Sequence, residues 1–153
     1  MGKNCDASIL SIITVIFIIG CFFLLTWIFV NQVKDHYSQY DPKLLEIKAK
    51  LKEHFPDLIS KVTLHEGDSS YTLNKSKIYM CLFDENGKYY QDNTLYHVIL
   101  HELAHVKSAD IGHTPLFHNN FQELLEKAEK YGLYDHNIPI PENYSKHSKA
   151  CGK

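Results

Sequence analysis

The sequence contains no arginine: all 16 basic residues are lysine. Arginine's planar fork is what bidentate phosphate and base recognition favours. From Asp35 onward, 14 lysines stand against 17 acidic residues, a formal balance of −3 (14 minus 17). That balance argues against nucleic acid as a partner. Cysteine is scarce too, with Cys5, Cys21, Cys81 and Cys151 and no CxxC spacing, which excludes a zinc ribbon and a thioredoxin-like site. Cys81 falls in an expected strand and packs as a small hydrophobe, or pairs with Cys151 if the domain faces an oxidising compartment. Internal repeats are absent. Aromatic residues, by contrast, make up 12% of the chain, so the polar part does not read as disordered.

Charge is absent from residues 7–30, ASILSIITVIFIIGCFFLLTWIFV. As a helix at about 1.5 Å per residue this run reaches about 36 Å, enough to cross a hydrocarbon core of ~30 Å. It is too long and too evenly apolar for a buried helix of a small domain. A signal peptide needs a shorter apolar core and a small-residue cleavage site, and neither follows Val30. A single-pass transmembrane anchor, with lipid as its partner and Trp27 at an interface, is the expectation. Lys3 on one side and Lys34 and Lys43 on the other leave the orientation open. Met1-Gly2 is not a myristoylation signal, because position 6 is aspartate. Two glycosylation sequons, Asn74-Lys75-Ser76 and Asn143-Tyr144-Ser145, matter only if the domain is translocated.

The expected organisation is a tail over 1–6, the anchor over 7–30, a polar linker over 31–40, one domain over 41–136 and an extended tail over 137–153. The 123 residues that follow the anchor (153 minus 30) suffice for one core. Asp41-Pro42 starts a helix with Leu44, Ile47, Leu51 and Phe55 on one face. Strands are expected over Lys61–His65, Tyr71–Leu73 and Lys77–Phe83, with turns at Glu66-Gly67-Asp68 and Asp84-Glu85-Asn86-Gly87. Asn93 caps a helix carrying Leu95, Val98, Ile99, Leu103 and Val106, so apolar that it should be central. After a loop over Lys107–Gly112, Thr114-Pro115 starts a further helix that Gly132 ends. The fold class is α+β, with a small antiparallel sheet, an active-site helix and a following helix.

The chemistry-bearing segment is His101-Glu102-Leu103-Ala104-His105. Residues four apart stack on one helix face, so both imidazoles can reach one ion. Zinc lowers the pKa of a bound water to about 7, and an adjacent carboxylate, Glu102, can act as general base. Two surface histidines on an ordinary helix would be the bland explanation; the apolar neighbours Leu103, Ala104 and Val106 count against it. A catalytic zinc, one per chain, usually takes three protein ligands. His113 is the preferred third, because Gly112 lets the chain turn back and Thr114-Pro115 begins a helix alongside. Glu123, 18 residues beyond His105, is the rival. His118 reads as a surface residue, and His97, a third helical histidine in succession, as a packing one.

HELAH followed by His113-Thr114-Pro115-Leu116-Phe117 resembles the zincins of the WLM and SprT-like families. These share HExxH, a nearby third histidine and a phenylalanine soon after it. The segment 77–134, including KIYMCLFDENGKYY, carries the resemblance, which extends to short zincin-like proteins of large DNA viruses. It implies a zincin-like metallopeptidase acting on peptides or proteins, with His101, His105 and His113 as zinc ligands and Glu102 as base. It also implies that strand Ile78–Phe83 borders the cleft as a substrate-pairing edge. Tyr131, Tyr134 and His136 are candidates for stabilising an oxyanion. The chain departs from the pattern in the seven residues between His105 and His113, more than WLM proteins typically place there. It also lacks downstream cysteine pairs, and it carries an acidic balance and an anchor. These departures weigh against a role on DNA–protein crosslinks and leave the metal chemistry intact. A non-catalytic membrane adaptor with a structural zinc is the alternative, and hydrolysis of a non-peptide amide a third.

Overall fold

A computed structural model of the chain describes residues 3–141, with side chains from Leu10 onward. The chain forms two units, Met1–Tyr37 and Ser38–Lys153. The first is a single helix, α1 (Lys3–Tyr37), long and apolar enough to cross a membrane. Its large apolar side chains are exposed from Leu10 to Val33. The hydroxyls of Thr14 and Thr26 donate to the carbonyls of Leu10 and Phe22, at 2.9 and 2.6 Å, so these polar groups are satisfied within the helix. The expected linker is shorter than 31–40, because α1 continues to Tyr37. No glycine or proline interrupts residues 31–40, so nothing local stops the helix there.

The second unit is α+β. It contains α2 (Pro42–His54), a short α3 (Pro56–Ile59), β1 (Thr63–Glu66), β2 (Tyr71–Leu73), β3 (Lys77–Met80), α4 (Asp92–Lys107) and α5 (Pro115–Lys130). Asp41 caps α2, its Oδ1 accepting from the N–H groups of Lys43 and Leu44 at 2.8 and 3.1 Å, and Pro42 occupies the first turn. Leu44, Ile47 and Leu51 turn the buried face inward, as their spacing dictates.

The sheet corrects the antiparallel expectation. Its order is β1-β3-β2, with β3 antiparallel to β2 but parallel to β1. The turn expected at Glu66-Gly67-Asp68 is therefore part of a crossing over the end of β3, from one edge strand to the other. The Gly67 N–H donates to the Met80 carbonyl at 2.9 Å. A Cβ on Gly67 would lie 3.0 Å from the Tyr79 Cβ and 3.2 Å from the Ser69 carbonyl oxygen, so only glycine passes this closely without displacing a neighbour. β3 is consequently central, and the edge expected over Ile78–Phe83 belongs to β2 instead. The strand itself stops at Met80; a single antiparallel bridge, Phe83 to Tyr89, spans the Asp84–Gly87 turn.

Leu64, Ile78 and Met80 from the sheet join residues of α2, α4 and α5 in one buried cluster. Ten of the sixteen residues of α4 are buried, which makes it the central helix. Its cap is Gln91 rather than the expected Asn93. Asn93 lies inside the first turn, buried, and donates through Nδ2 to the carbonyls of Asp135 and Ile138, both at 3.1 Å. Its Oδ1 accepts from the Asp135 N–H at 2.7 Å. A residue type suited to capping is here satisfied by a distant segment instead. Thr114 caps α5, and Gly132, at φ +68°, follows its end. Cys81 is buried and disulfide-bonded. The expectation of a free, packed thiol is thus corrected; Cys151, the alternative partner named above for an oxidising compartment, lies outside the described residues, as do Asn143 and most of the expected tail.

Candidate metal centre

Three imidazoles converge where α4 meets the start of α5. His101 and His105 lie one turn apart on α4, their ring centroids 5.1 Å apart. His113, on the loop between the helices, completes the group: one nitrogen from each of the three rings lies within 4.8 Å of the others. His101 Nε2 and His113 Nε2 are 3.1 Å apart. Tetrahedral zinc with Zn–N bonds of about 2.0–2.1 Å requires nitrogens about 3.3 Å apart, so this pair already has the separation that a shared ion needs. Burial and the neighbouring His105 and His113 rings push the His101 pKa down to about 4. Burial first, then His113 and Lys75, lower that of His105. Neutral rings keep a lone pair for a metal, so the donor set fits zinc.

Phe117, only 1% exposed, packs beneath the cluster. Its ring centroid lies 4.9, 4.4 and 4.6 Å from those of His101, His105 and His113. Proline at the first turn of α5 and the Thr114 cap set this helix start, which aims Phe117 inward three residues later.

Glu102 is 6% exposed. The Thr72 hydroxyl lies 2.7 Å from its Oε2 and 3.1 Å from its carbonyl oxygen. Burial raises the Glu102 pKa, and the Thr72 hydrogen bond partly offsets that rise. Thr72 is the inward residue of β2, between the exposed Tyr71 and Leu73. Its only trace in the sequence is a polar side chain at an inward strand position.

Glu123 stands apart from the cluster. Its carboxylate pairs with Lys107 at 2.6 Å and is well exposed. His118 is exposed, its ring centroid 6.3 Å from that of His113. His97 packs between Phe121 and Tyr134, at 5.2 and 5.6 Å, and its buried Nδ1 has no partner among the described residues. Burial lowers its pKa. Of the proposed oxyanion groups, Tyr131 stacks on His54 at 4.1 Å and His136 bonds to Glu129, while Tyr134 lies against His97.

The loop before His113 is tied on both sides. Lys75, in the β2–β3 turn, donates to the carbonyls of Ser108, Ala109 and Asp110 at 2.5, 2.8 and 3.3 Å. The Asn120 Nδ2 donates to the buried Ser108 hydroxyl at 3.0 Å. Asp110 accepts from the Thr114 hydroxyl at 3.2 Å. Neither Lys75 nor Asn120 carries a recognisable sequence signal for this task.

Fold and site together define an α+β domain with a three-histidine cluster, two of them on α4 and one on the loop that leads to α5, in a chain that also carries a long apolar helix. No family model matches the sequence, and no solved structure matches it. Curated viral proteins do. The uncharacterized protein 136R of Invertebrate iridescent virus 6 is 41% identical over 91 residues, covering 58% of this chain and 51% of that protein. The uncharacterized protein 042R of Invertebrate iridescent virus 3 is 45% identical over 89 residues, covering 58% and 56%. The uncharacterized protein R325 of Acanthamoeba polyphaga mimivirus is 32% identical over 114 residues, covering 70% and 57%. The chain spans a little over half the length of these relatives.

Proposed function

We propose that this chain is a membrane-anchored zinc metallopeptidase of zincin type, resembling the WLM and SprT-like families, with His101, His105 and His113 as ligands. The observation that carries this reading is the convergence of the three rings, one nitrogen from each within 4.8 Å of the others, beside the buried Glu102. A bound zinc supplies Lewis-acid polarisation and lowers the pKa of a water to about 7. Glu102 takes a proton from the attacking water and delivers it to the leaving amide nitrogen as the C–N bond breaks. Thr72 holds the Glu102 carboxylate in one orientation meanwhile. β2, at one edge of the sheet with Tyr71 and Leu73 each 44% exposed, offers an extended substrate a strand to pair with. α1 supplies the membrane attachment.

The test is zinc analysis of the full chain in detergent micelles, with cleavage of an unstructured peptide by the parent and by Glu102→Gln. One zinc per chain in both proteins, with cleavage only by the parent, is expected. Equal cleavage by both would remove Glu102 as the base. A second reading, a membrane adaptor with a structural zinc, draws on the engagement of Tyr131 and His136 with other side chains, which leaves the oxyanion group unassigned. It expects a fourth protein ligand and indifference to Glu102→Gln. His105→Ala would then lower the melting temperature, because metal binding at a structural site is coupled to folding.

A further inference from the structure

The three-residue β2–β3 connection, 74–76, contains a β-turn whose two central residues, Asn74 and Lys75, both take positive φ, +50° and +52°, closed by the Ser76 N–H to the Leu73 carbonyl at 3.1 Å. Turns of this kind favour glycine at the second position. A lysine there holds a conformation that L side chains adopt reluctantly, so something outside the turn rewards it. Its side chain supplies the reason. The ammonium group has three N–H donors, and three carbonyl oxygens receive them, those of Ser108, Ala109 and Asp110. Ser108 is the C-cap of α4, where carbonyls lack intrahelical partners and the helix end carries partial negative charge.

The segment so gripped leads directly to His113. Beyond it, Ile111 is 93% exposed and Gly112 turns the chain at φ +84°, so the last residues before the ligand have little packing of their own. The approach of His113 to His101 and His105 thus depends on where Ser108–Asp110 is held.

We infer that Lys75 is a positioning residue for the metal centre: from the β2–β3 turn it fixes the path of the 108–110 backbone and so delivers His113 to the two helical histidines. This inference rests on the proposed zinc centre. It predicts that loss of the ammonium group weakens metal binding without weakening the fold. Lys75→Gly separates the two effects, because glycine takes φ +52° without cost, whereas Lys75→Met keeps the backbone strain and removes the donors.

The experiment uses the full chain in detergent micelles. It measures zinc affinity by competition with a chromogenic chelator, amide hydrogen exchange over 109–113 in metal-free protein, and the metal-free melting temperature. Both variants are expected to bind zinc about 10- to 100-fold more weakly, as when a supporting partner of a metal ligand is lost, and to exchange faster over 109–113. Lys75→Gly should do so at an unchanged or raised melting temperature. Zinc bound by both variants as tightly as by the parent would refute the role of Lys75 alone. A parent chain that binds no zinc would refute the metal centre and this role with it. Weaker zinc binding matched by a lowered melting temperature in Lys75→Gly would reassign Lys75 to general stability and overturn the inference.

Discussion

Thr72→Val replaces one hydroxyl by a methyl group of nearly the same volume and so isolates the Thr72–Glu102 contact. The hydroxyl lies 2.7 Å from Oε2 of a carboxylate that is 6% exposed, so water cannot readily take its place. A hydrogen bond to a charged group contributes about 1.5–3 kcal/mol net, and the isosteric change leaves no cavity to add to the loss. For a domain of this size each kcal/mol moves the melting temperature by roughly 4–6 °C. A fall of about 9–13 °C at pH 7 follows for the mid-range value of about 2.25 kcal/mol. The pH dependence gives a sharper check. Burial already raises the Glu102 pKa, and Thr72 opposes that rise; the valine variant raises it further. For an acid with a raised folded-state pKa, the stability gained by staying protonated is present below the ordinary 4.5. It is lost as pH rises through the folded value. The deficit of the variant should therefore be small near pH 4 and grow toward pH 7. Thermal denaturation across that range by circular dichroism measures it. A deficit that is constant with pH, or absent at pH 7, would refute the pairing.

Four further outcomes are expected. His113→Ala should abolish tight zinc binding while Glu123→Gln leaves it unchanged, since Glu123 is paired with Lys107 at the surface; chelator competition distinguishes them, and the reverse pattern would move the third ligand to α5. Asn93→Ala removes three hydrogen bonds and should cost about 2–4 kcal/mol. Amide exchange should accelerate over 135–138, and unchanged exchange there would contradict the tie. Gly67→Ala should destabilise by about 1–3 kcal/mol because its Cβ has no room, and an unchanged denaturant midpoint would mean that the crossing tolerates a side chain. Finally, His101 titrates at about 4 when folded against an ordinary 6.5. The unfolded chain therefore takes up the proton first, and metal-free protein should lose stability as pH falls from 6.5 toward 4. After allowance for solvent screening of a ring only partly buried, the loss is about 1–2 kcal/mol. His101→Asn should flatten that slope.

Elements with local signals were legible in advance. Asp41-Pro42 and Thr114-Pro115 each begin a helix, and the density of apolar residues around α4 marked it as central. The strands lie within two or three residues of their expected bounds, but their pairing differs from the antiparallel expectation. Alternation of side chains reads the same in parallel and antiparallel partners, and nothing before Gly67 announces that the chain crosses over β3. Asn93 departs from its expected role for a related reason: its short amide is suited to capping a helix, and only the arrival of Asp135 and Ile138 gives it other partners. Polar composition over 31–37 suggests a linker, yet α1 continues through Tyr37 because no residue there opposes helix.

By itself the sequence determined what depends on neighbours along the chain. An uncharged run made a long apolar helix, and a four-residue spacing put His101 and His105 on one face, because helix geometry is set within a single turn. Tertiary structure decided the rest: the central place of β3, the hydroxyl of Thr72 on Glu102, the ammonium of Lys75 on the loop, and the meeting of His113 with the other two rings. Thr72 and Glu102 are 30 residues apart and Lys75 and Ser108 are 33. No local pattern encodes such contacts, which exist only once the common core has brought the sheet and the two helices together.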